Sequence, residues 1–312
     1  MTNINQNFAI EISGLKKIYN HKKPNAFEAL KGINLNIPKK SIFGLLGANG
    51  AGKSTLINII AGLVLKTEGK VEVWGNDIDI HERNAKLAIG VVPQELILDP
   101  FFTPRETLEY QSGYYGVPKS ENCVEEILET VGLLDKADAY ARSLSGGMRR
   151  RLMIGKAMVH RPPILILDEP TAGVDVALRQ SLWKEVRKLN EAGVTIILTT
   201  HYLEEAEAMC DSLAIVNKGQ IVAEGQTSAM LNKLDKKELI ISLENDDANK
   251  IKLEGINMSI MSKNSIKISF RPSEINEGAI IEKIYNSGAK IKTINSKEPD
   301  LEELFLELTN EK

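Results

Sequence analysis

The sequence predicts an α/β fold, a parallel sheet covered on both faces by helices, followed by a small α+β unit. Three observations carry this. Between about 163 and 217, short apolar runs ("ILIL", "VTIILTT", "SLAIVN") alternate with amphipathic stretches ("VALRQSLWKEVRKLN", "YLEEAEAMC"), as buried parallel strands do with their crossover helices. The apolar "IFGLL" runs through a glycine-rich loop into a helical segment. Around 232–250 the text turns polar and charge-rich, "NKLDKKELIISLENDDANK". We place a boundary there, giving domains 1–232 and 233–312, in keeping with 312 residues at about 150 per domain.

The elements follow in order. "FAIEIS" partly alternates, "INLNIP" alternates strictly and "IFGLL" is continuously apolar, so all three read as strands. A helix is expected from Lys53 to about Leu63, then a strand at "GKVEVWG". "RETLEYQSGYYG", "ENCVEEILETVGLL" and "GGMRRRLMIGKAMV" supply a helical lobe at about 95–160. "NKGQIVAEG" reads as a closing hairpin. In the tail, strands are expected at "ELIISL", "SIKISF" and "KIKTIN", and helices at "EGAIIEKIYNSG" and "LEELFLELTN". Leu301, Leu304, Phe305 and Leu308 fall at i, i+3, i+4 and i+7 of the last helix, a core-facing stripe.

Bulk properties exclude several function classes. A formal net charge of −3 is poor for gripping a polyanion, so nucleic acid is disfavoured as a partner. Cys123 and Cys210 stand far apart with no metal-ligand neighbours, and read as small apolar fillers in a reducing compartment. "MTNINQNFAIEIS" lacks a basic stretch followed by an apolar core, so no secretory signal is expected. The longest apolar runs fall far short of the roughly 20 residues a membrane-spanning helix needs. The chain is expected to be soluble and to reach a membrane only by binding a protein that spans it.

In an open parallel sheet, ligands bind beyond the carboxyl ends of the strands, and distinctive polar residues stand there four times. After "IFGLL" comes Gly47–Ala48–Asn49–Gly50–Ala51–Gly52–Lys53–Ser54–Thr55, a match to G-x-x-x-x-G-K-[ST]. Gly47, Gly50 and Gly52 let the backbone curl so that N–H groups point at phosphate oxygens. Lys53 would reach the β- and γ-phosphates, Ser54 would hold Mg²⁺, and the next helix aims its positive end at the charge. After "IGVVP" comes Gln94, whose amide can accept from a water or lend its oxygen to a metal. After "ILIL" come Asp168 and Glu169, adjacent carboxylates pointing in different directions. Asp168 suits the Mg²⁺ shell, usually through water, and Glu169 suits a general base for an attacking water. After "VTIILTT" comes His201, placed to donate to a γ-phosphate or hold that water. Each residue alone has an ordinary surface or capping explanation; together they indicate a Mg²⁺-dependent nucleoside triphosphatase.

A second anion seat follows. Ser145 is a good N-cap, and the amides of Gly146 and Gly147 would open the helix "MRRRLMIGKAMV". A helix on a separate lobe cannot easily reach a γ-phosphate on Lys53 of its own molecule. A head-to-tail pair solves this, each Ser145–Gly147 closing over the nucleotide on the other copy. Nucleotide then joins the copies and hydrolysis loosens them.

"GANGAGKST", Gln94, "LSGGM", "ILILDEP", "AGVD" and His201, in this order and spacing, resemble the ATP-binding subunit of an ABC transporter over about residues 8–230. "LSGGMRRRLM", "TAGVD" and the C-terminal "LEELFLEL" are similar to the ABC-2 export branch and its bacterial YadG type. The resemblance implies a P-loop NTPase of ABC type, with a mixed sheet core, an antiparallel β subdomain and a helical lobe. It implies a homodimer that binds ATP and Mg²⁺ and powers a separate ABC-2-type permease from the cytoplasmic face of the membrane. Tyr19 would stack on adenine, Gln94 would couple metal and water to the segment after it, and Asp175 would cross the dimer interface. Met148 departs from the glutamine of many members; since Ser145 and the amides do the phosphate work, activity should survive it.

Arg149, Arg150 and Arg151 spread around their helix and are expected on a solvated or interface face. Phe101, Phe102, Tyr110, Tyr114 and Tyr115 crowd residues 95–116, and part of this cluster is expected to seat a short helix of a membrane-spanning partner. The rival function is a soluble ABC-type ATPase acting on nucleic acid or ribosomes. Tandem cassettes, a long coiled coil or zinc modules would mark that class, and none is visible here.

Overall fold

The computed structural model describes residues 7–244, 248, 251 and 257–309. The opening residues 1–6, most of the charge-rich stretch 245–256 and Asn310 of the last predicted helix lie outside them. The chain divides into two compact units, Met1–Gln226 and Thr227–Lys312.

The first unit begins with β1 (Phe8–Tyr19) and β2 (Phe27–Pro38), then β3 (Ile42–Leu46), α1 (Lys53–Ile60), β4 (Glu68–Val73) and β5 (Asn76–Asp77). Next come α2 (Glu82–Leu87), β6 (Ile89–Val92), α3 (Pro104–Tyr114), α4 (Val124–Thr130) and α5 (Gly146–Met158). The remainder is β7 (Ile164–Asp168), α6 (Val176–Glu191), β8 (Thr195–Thr200), α7 (Leu203–Met209), β9 (Ser212–Asn217) and β10 (Gln220–Gln226).

Two sheets result. β2-β1-β4-β5 is antiparallel. The second runs β10-β9-β3-β8-β7-β6, parallel from β9 to β6, with β10 antiparallel at its edge. β3 and β8 are buried at every residue, as a strand covered on both faces must be, and this is why they read as unbroken apolar runs. One core joins the sheets through α1, whose Leu56, Ile57, Ile59 and Ile60 pack with Ile10, Leu15 and Leu35. Each such side chain contributes roughly 1.5–3 kcal/mol when fully buried, so the helix after the glycine loop is anchored by far more than its propensity.

The helical lobe rests on α3, α4 and α5. Pro104 starts α3, and a capping box at Thr103 and Glu106 closes its first turn. Cys123 and Cys210 are both buried thiols outside any disulfide, and burial pushes the Cys210 thiol up to about 12. Among the described residues no helix is long and apolar enough to cross a membrane.

The second unit contains α8 (Thr227–Asn232), β11 (Lys237–Leu243), β12 (Asn257–Ser262), β13 (Ser265–Phe270), α9 (Glu277–Asn286), β14 (Ile291–Lys297) and α10 (Leu301–Thr309). Its antiparallel sheet runs β12-β13-β11-β14. Leu239, Ile241, Ile266 and Ile268 pack with Ile280 and Ile284 of α9. Leu301 and Leu304 of the α10 stripe are buried. α8 and β12 are absent from the sequence reading. β12 alternates only over Asn257–Ile260, with Met258 its one residue that is half-buried rather than exposed.

Candidate functional site

The order β3-β8-β7-β6 sets four carboxyl ends side by side, carrying the glycine loop, His201, Asp168–Glu169 and Gln94. Gly47 sits at φ 157°, and a Cβ there would lie 2.4 Å from the Val216 carbonyl oxygen. Only glycine lets the loop pass this close. The loop is backed again where Gly219 N donates to Ala51 O at 2.8 Å. Lys53 is buried, and its Nζ donates to Gly47 O at 2.7 Å and Ala48 O at 3.2 Å. Burial pulls the Lys53 ammonium down, and the nearby Glu169 and Asp168 partly restore it. Ser54 is exposed at the first turn of α1. Tyr19 ends β1 with its hydroxyl 3.5 Å from Thr55 Oγ1, while Lys17 Nζ lies 4.7 Å from the ring centre.

Glu169 is the focus of the strand ends. Gln94 Nε2 donates to its Oε2 at 3.2 Å, and His201 Nδ1 approaches the same oxygen at 3.3 Å. Its backbone sits at φ 44°, a left-handed conformation that costs a non-glycine residue about 1–3 kcal/mol. Its N–H donates to Thr199 Oγ1 at 3.0 Å and also faces Thr199 O at 3.1 Å. Thr199 Oγ1 in turn donates to Asp168 Oδ1. One buried threonine therefore holds the Asp168 carboxylate and the Glu169 main chain.

Ser145 caps α5, its Oγ accepting from Met148 N at 3.2 Å. Ser145 and Gly146 are exposed, whereas Gly147 is buried. A Cβ on Gly147 would meet Leu178 Cδ1 at 1.9 Å, so the turn packs directly on α6. Asp175 caps α6 through Leu178 N at 2.9 Å.

The arginine triplet corrects the sequence reading. Arg150 is only 5% exposed and donates to the backbone oxygens of Pro93 (3.1 Å) and Gln94 (2.8 Å); burial lowers its pKa. Arg151 donates to Val131 O and Gly132 O, each at 3.0 Å. Both cations hold main-chain carbonyls of their own chain, Arg150 from a buried position and Arg151 from a half-buried one, so Arg150 is not on a solvated face. Arg150 lies three residues after buried Gly147 and four before buried Ile154, a helical spacing that could have revealed it. Thr199 was likewise missed; the pair of buried hydroxyls, Thr199 and Thr200, that closes the run of β8 just before His201 was its signal.

In the aromatic cluster, Phe101, Tyr110 and Tyr114 are exposed and Phe102 packs on Tyr110. Tyr115 stacks on His160 with ring centres 3.7 Å apart. Tyr115, Ile97, Leu63 and Met153 line a cavity of about 490 Å³ at the junction of lobe and sheet.

Known proteins resemble this chain in sequence and in fold. The ABC transporter family model matches residues 30–172. The linearmycin resistance ATP-binding protein LnrL of Bacillus subtilis is 37% identical over 311 residues, covering 96% of this chain and 98% of its own length. A Nod factor export ATP-binding protein I of a Rhizobium species is 40% identical over 227 residues, covering 72% of this chain and 73% of the relative. Among solved structures, a dimeric ATP-binding cassette in a post-hydrolysis state with ADP and Pi aligns at TM-score 0.61 and 27% identity, over 70% of this chain and 98% of that one. The chain belongs to the ABC transporter ATP-binding family. It is an ATP hydrolase of that type, and nucleotide is its substrate.

Proposed function

We propose that this chain powers an export-type transporter, pairing with a second copy at the cytoplasmic face of a separate ABC-2-type permease. The convergence of Gln94 and His201 on one oxygen of Glu169, two strands from the glycine loop, supports the hydrolytic assignment best. Glu169 polarises the attacking water, Gln94 and His201 orient it, and the loop amides with Lys53 stabilise charge on the β- and γ-phosphates. Lys53 must leave the Gly47 and Ala48 carbonyls to do so. Tyr19 packs against the adenine. The chain contributes a carboxylate at Asp168, a hydroxyl at Ser54 and an amide oxygen at Gln94, which Gln94 leaves free by using its nitrogen on Glu169. This hard oxygen set fits magnesium, which when bound supplies positive charge to the phosphates.

Pairing follows from the open face of Ser145 and Gly146, which the second copy's nucleotide would complete, with Asp175 at the same interface. The dimeric state of the related cassette supports it. Export is supported by the name of the Nod factor export relative, and a permease helix would sit in the cavity lined by Tyr115 and Ile97. Replacing Glu169 by Gln should leave ATP binding and pairing intact and reduce hydrolysis by about a hundredfold or more, read by light scattering and phosphate release. Near-normal turnover in Glu169→Gln, or a variant that stays single in saturating magnesium ATP, contradicts this reading.

A further inference from the structure

A buried carboxylate outside the strand-end row joins the segments that carry it. Glu205, on α7, is 5% exposed. Its Oε2 accepts from Thr171 Oγ1 at 2.6 Å and from Thr200 Oγ1 at 3.3 Å, both threonines being buried. Its Oε1 lies 3.0 Å from Arg179 Nε, a charge contact off the N–H axis. The Arg179 guanidinium lies 5.2 Å from the centre of the Tyr202 ring, which packs on His201 with centres 4.1 Å apart. Thr200 Oγ1 also accepts from Tyr202 N at 3.0 Å, which shapes the turn holding His201.

Each of these partners is a short step from a residue of the site. Thr171 follows Glu169 by two positions, Thr200 precedes His201, and Arg179 follows Asp175 by four. A buried carboxylate is retained only where its oxygens are matched, and here the matching groups come from three different segments. We propose that Glu205 is a positioning residue for hydrolysis, tying the exit of β7, the turn after β8 and the first turn of α6 into one rigid unit. The claim rests on Glu169 and His201 acting as assigned above. Removing the tie lets Glu169 and His201 drift relative to each other, and a displacement of this kind slows the chemical step more than it weakens ground-state binding.

The test compares the full chain with Glu205→Ala, Glu205→Gln, Thr200→Val and Arg179→Met, and with the Glu205→Gln/Arg179→Met pair. Steady-state hydrolysis, equilibrium ATP binding and thermal unfolding are read for each. Glu205→Ala should lower kcat by about tenfold or more, with the dissociation constant for ATP moving by no more than about twofold. Glu205→Gln still accepts both hydroxyls but offers no charge to Arg179, so it should fall between wild type and Glu205→Ala. The double variant should be no worse than its worse single variant, the signature of one shared contact. Should Glu205→Ala not fold, Glu205→Gln and Thr200→Val decide the matter. A kcat within about twofold of wild type in the folded variants overturns the proposal. So does a loss of kcat that follows the loss of ATP binding and melting temperature in proportion across all of them. Glu169→Gln separates the two claims: if it is inactive while the Glu205 variants turn over normally, only the positioning role fails.

Discussion

The loop at 47–52 and the turn at 145–147 both lead into a helix N-terminus through glycine, yet they are fastened differently. The loop is backed by main chain: Gly47 faces the Val216 carbonyl and Ala51 O accepts from Gly219 N, both on the β9–β10 hairpin. The turn is backed by the Leu178 side chain beneath Gly147 and is open at Ser145 and Gly146. A main-chain wall within a hydrogen-bonded sheet cannot retreat, whereas a leucine can change rotamer. The first seat is fixed before nucleotide arrives. The second can follow α6, which suits the pairing proposed above.

This contrast is tested most severely by Gly47→Ala. The added carbon meets a carbonyl oxygen at 2.4 Å in a backbone conformation that disfavours side chains, so the loop must move. We expect stability to fall by about 1–3 kcal/mol or more, and ATP binding to a single copy to be lost by calorimetry. Gly146→Ala adds a carbon with nothing within 4 Å. It should bind ATP as one copy like wild type while losing ATP-driven pairing. If both variants fail at the same step, the two seats are not distinct.

A smaller effect is expected at Gly147. The new carbon would lie 1.9 Å from Leu178 Cδ1, a clash with a flexible side chain that should cost about 1–3 kcal/mol. Shortening the neighbour in Gly147→Ala/Leu178→Ala should return most of the melting temperature. Additive losses in the pair would show that the turn is not seated on α6 in this way.

The strand-end row was legible because its chemistry is local. "GANGAGKST" is one contiguous motif, and strands that alternate with helices deliver Gln94, Asp168, Glu169 and His201 to one edge by topology alone. What escaped is what depends on which way a helix or strand turns. Arg150 sits between two other arginines, and the letters do not say that its guanidinium reaches back to the Gln94 carbonyl 56 residues earlier. Glu205 reads as one of several glutamates in "LEEAEA", and only the packing of α7 shows it to be buried. The left-handed backbone of Glu169 is equally silent, since a non-glycine residue there is held by its surroundings rather than by its own preference. In the second unit, β12 alternates over only four residues, too short a run to mark a strand, and its pairing with β13 supplies what its composition does not.

The far end of α5 gives the gentlest test of how the lobe is fastened. His160 follows that helix and donates through Nε2 to the Ile89 carbonyl of β6 at 3.1 Å, with its ring stacked on Tyr115. Its Nδ1 is buried without a partner. Burial therefore pulls the imidazole below its usual value of 6.5, partly offset by the Ile89 bond. The folded chain then holds fewer protons than the unfolded chain in mildly acid solution. The resulting stability is fully present above pH 6.5 and is lost as the pH falls below it. Melting temperature should decline between about pH 7.5 and pH 5. His160→Phe keeps a ring on Tyr115 and removes the titrating group, so its decline over the same range should be shallower, even if the variant starts lower for want of the Ile89 bond. Equal slopes would mean that protonation of His160 does not loosen the junction, and that the lobe is held to β6 by the Arg150 contacts and apolar packing instead.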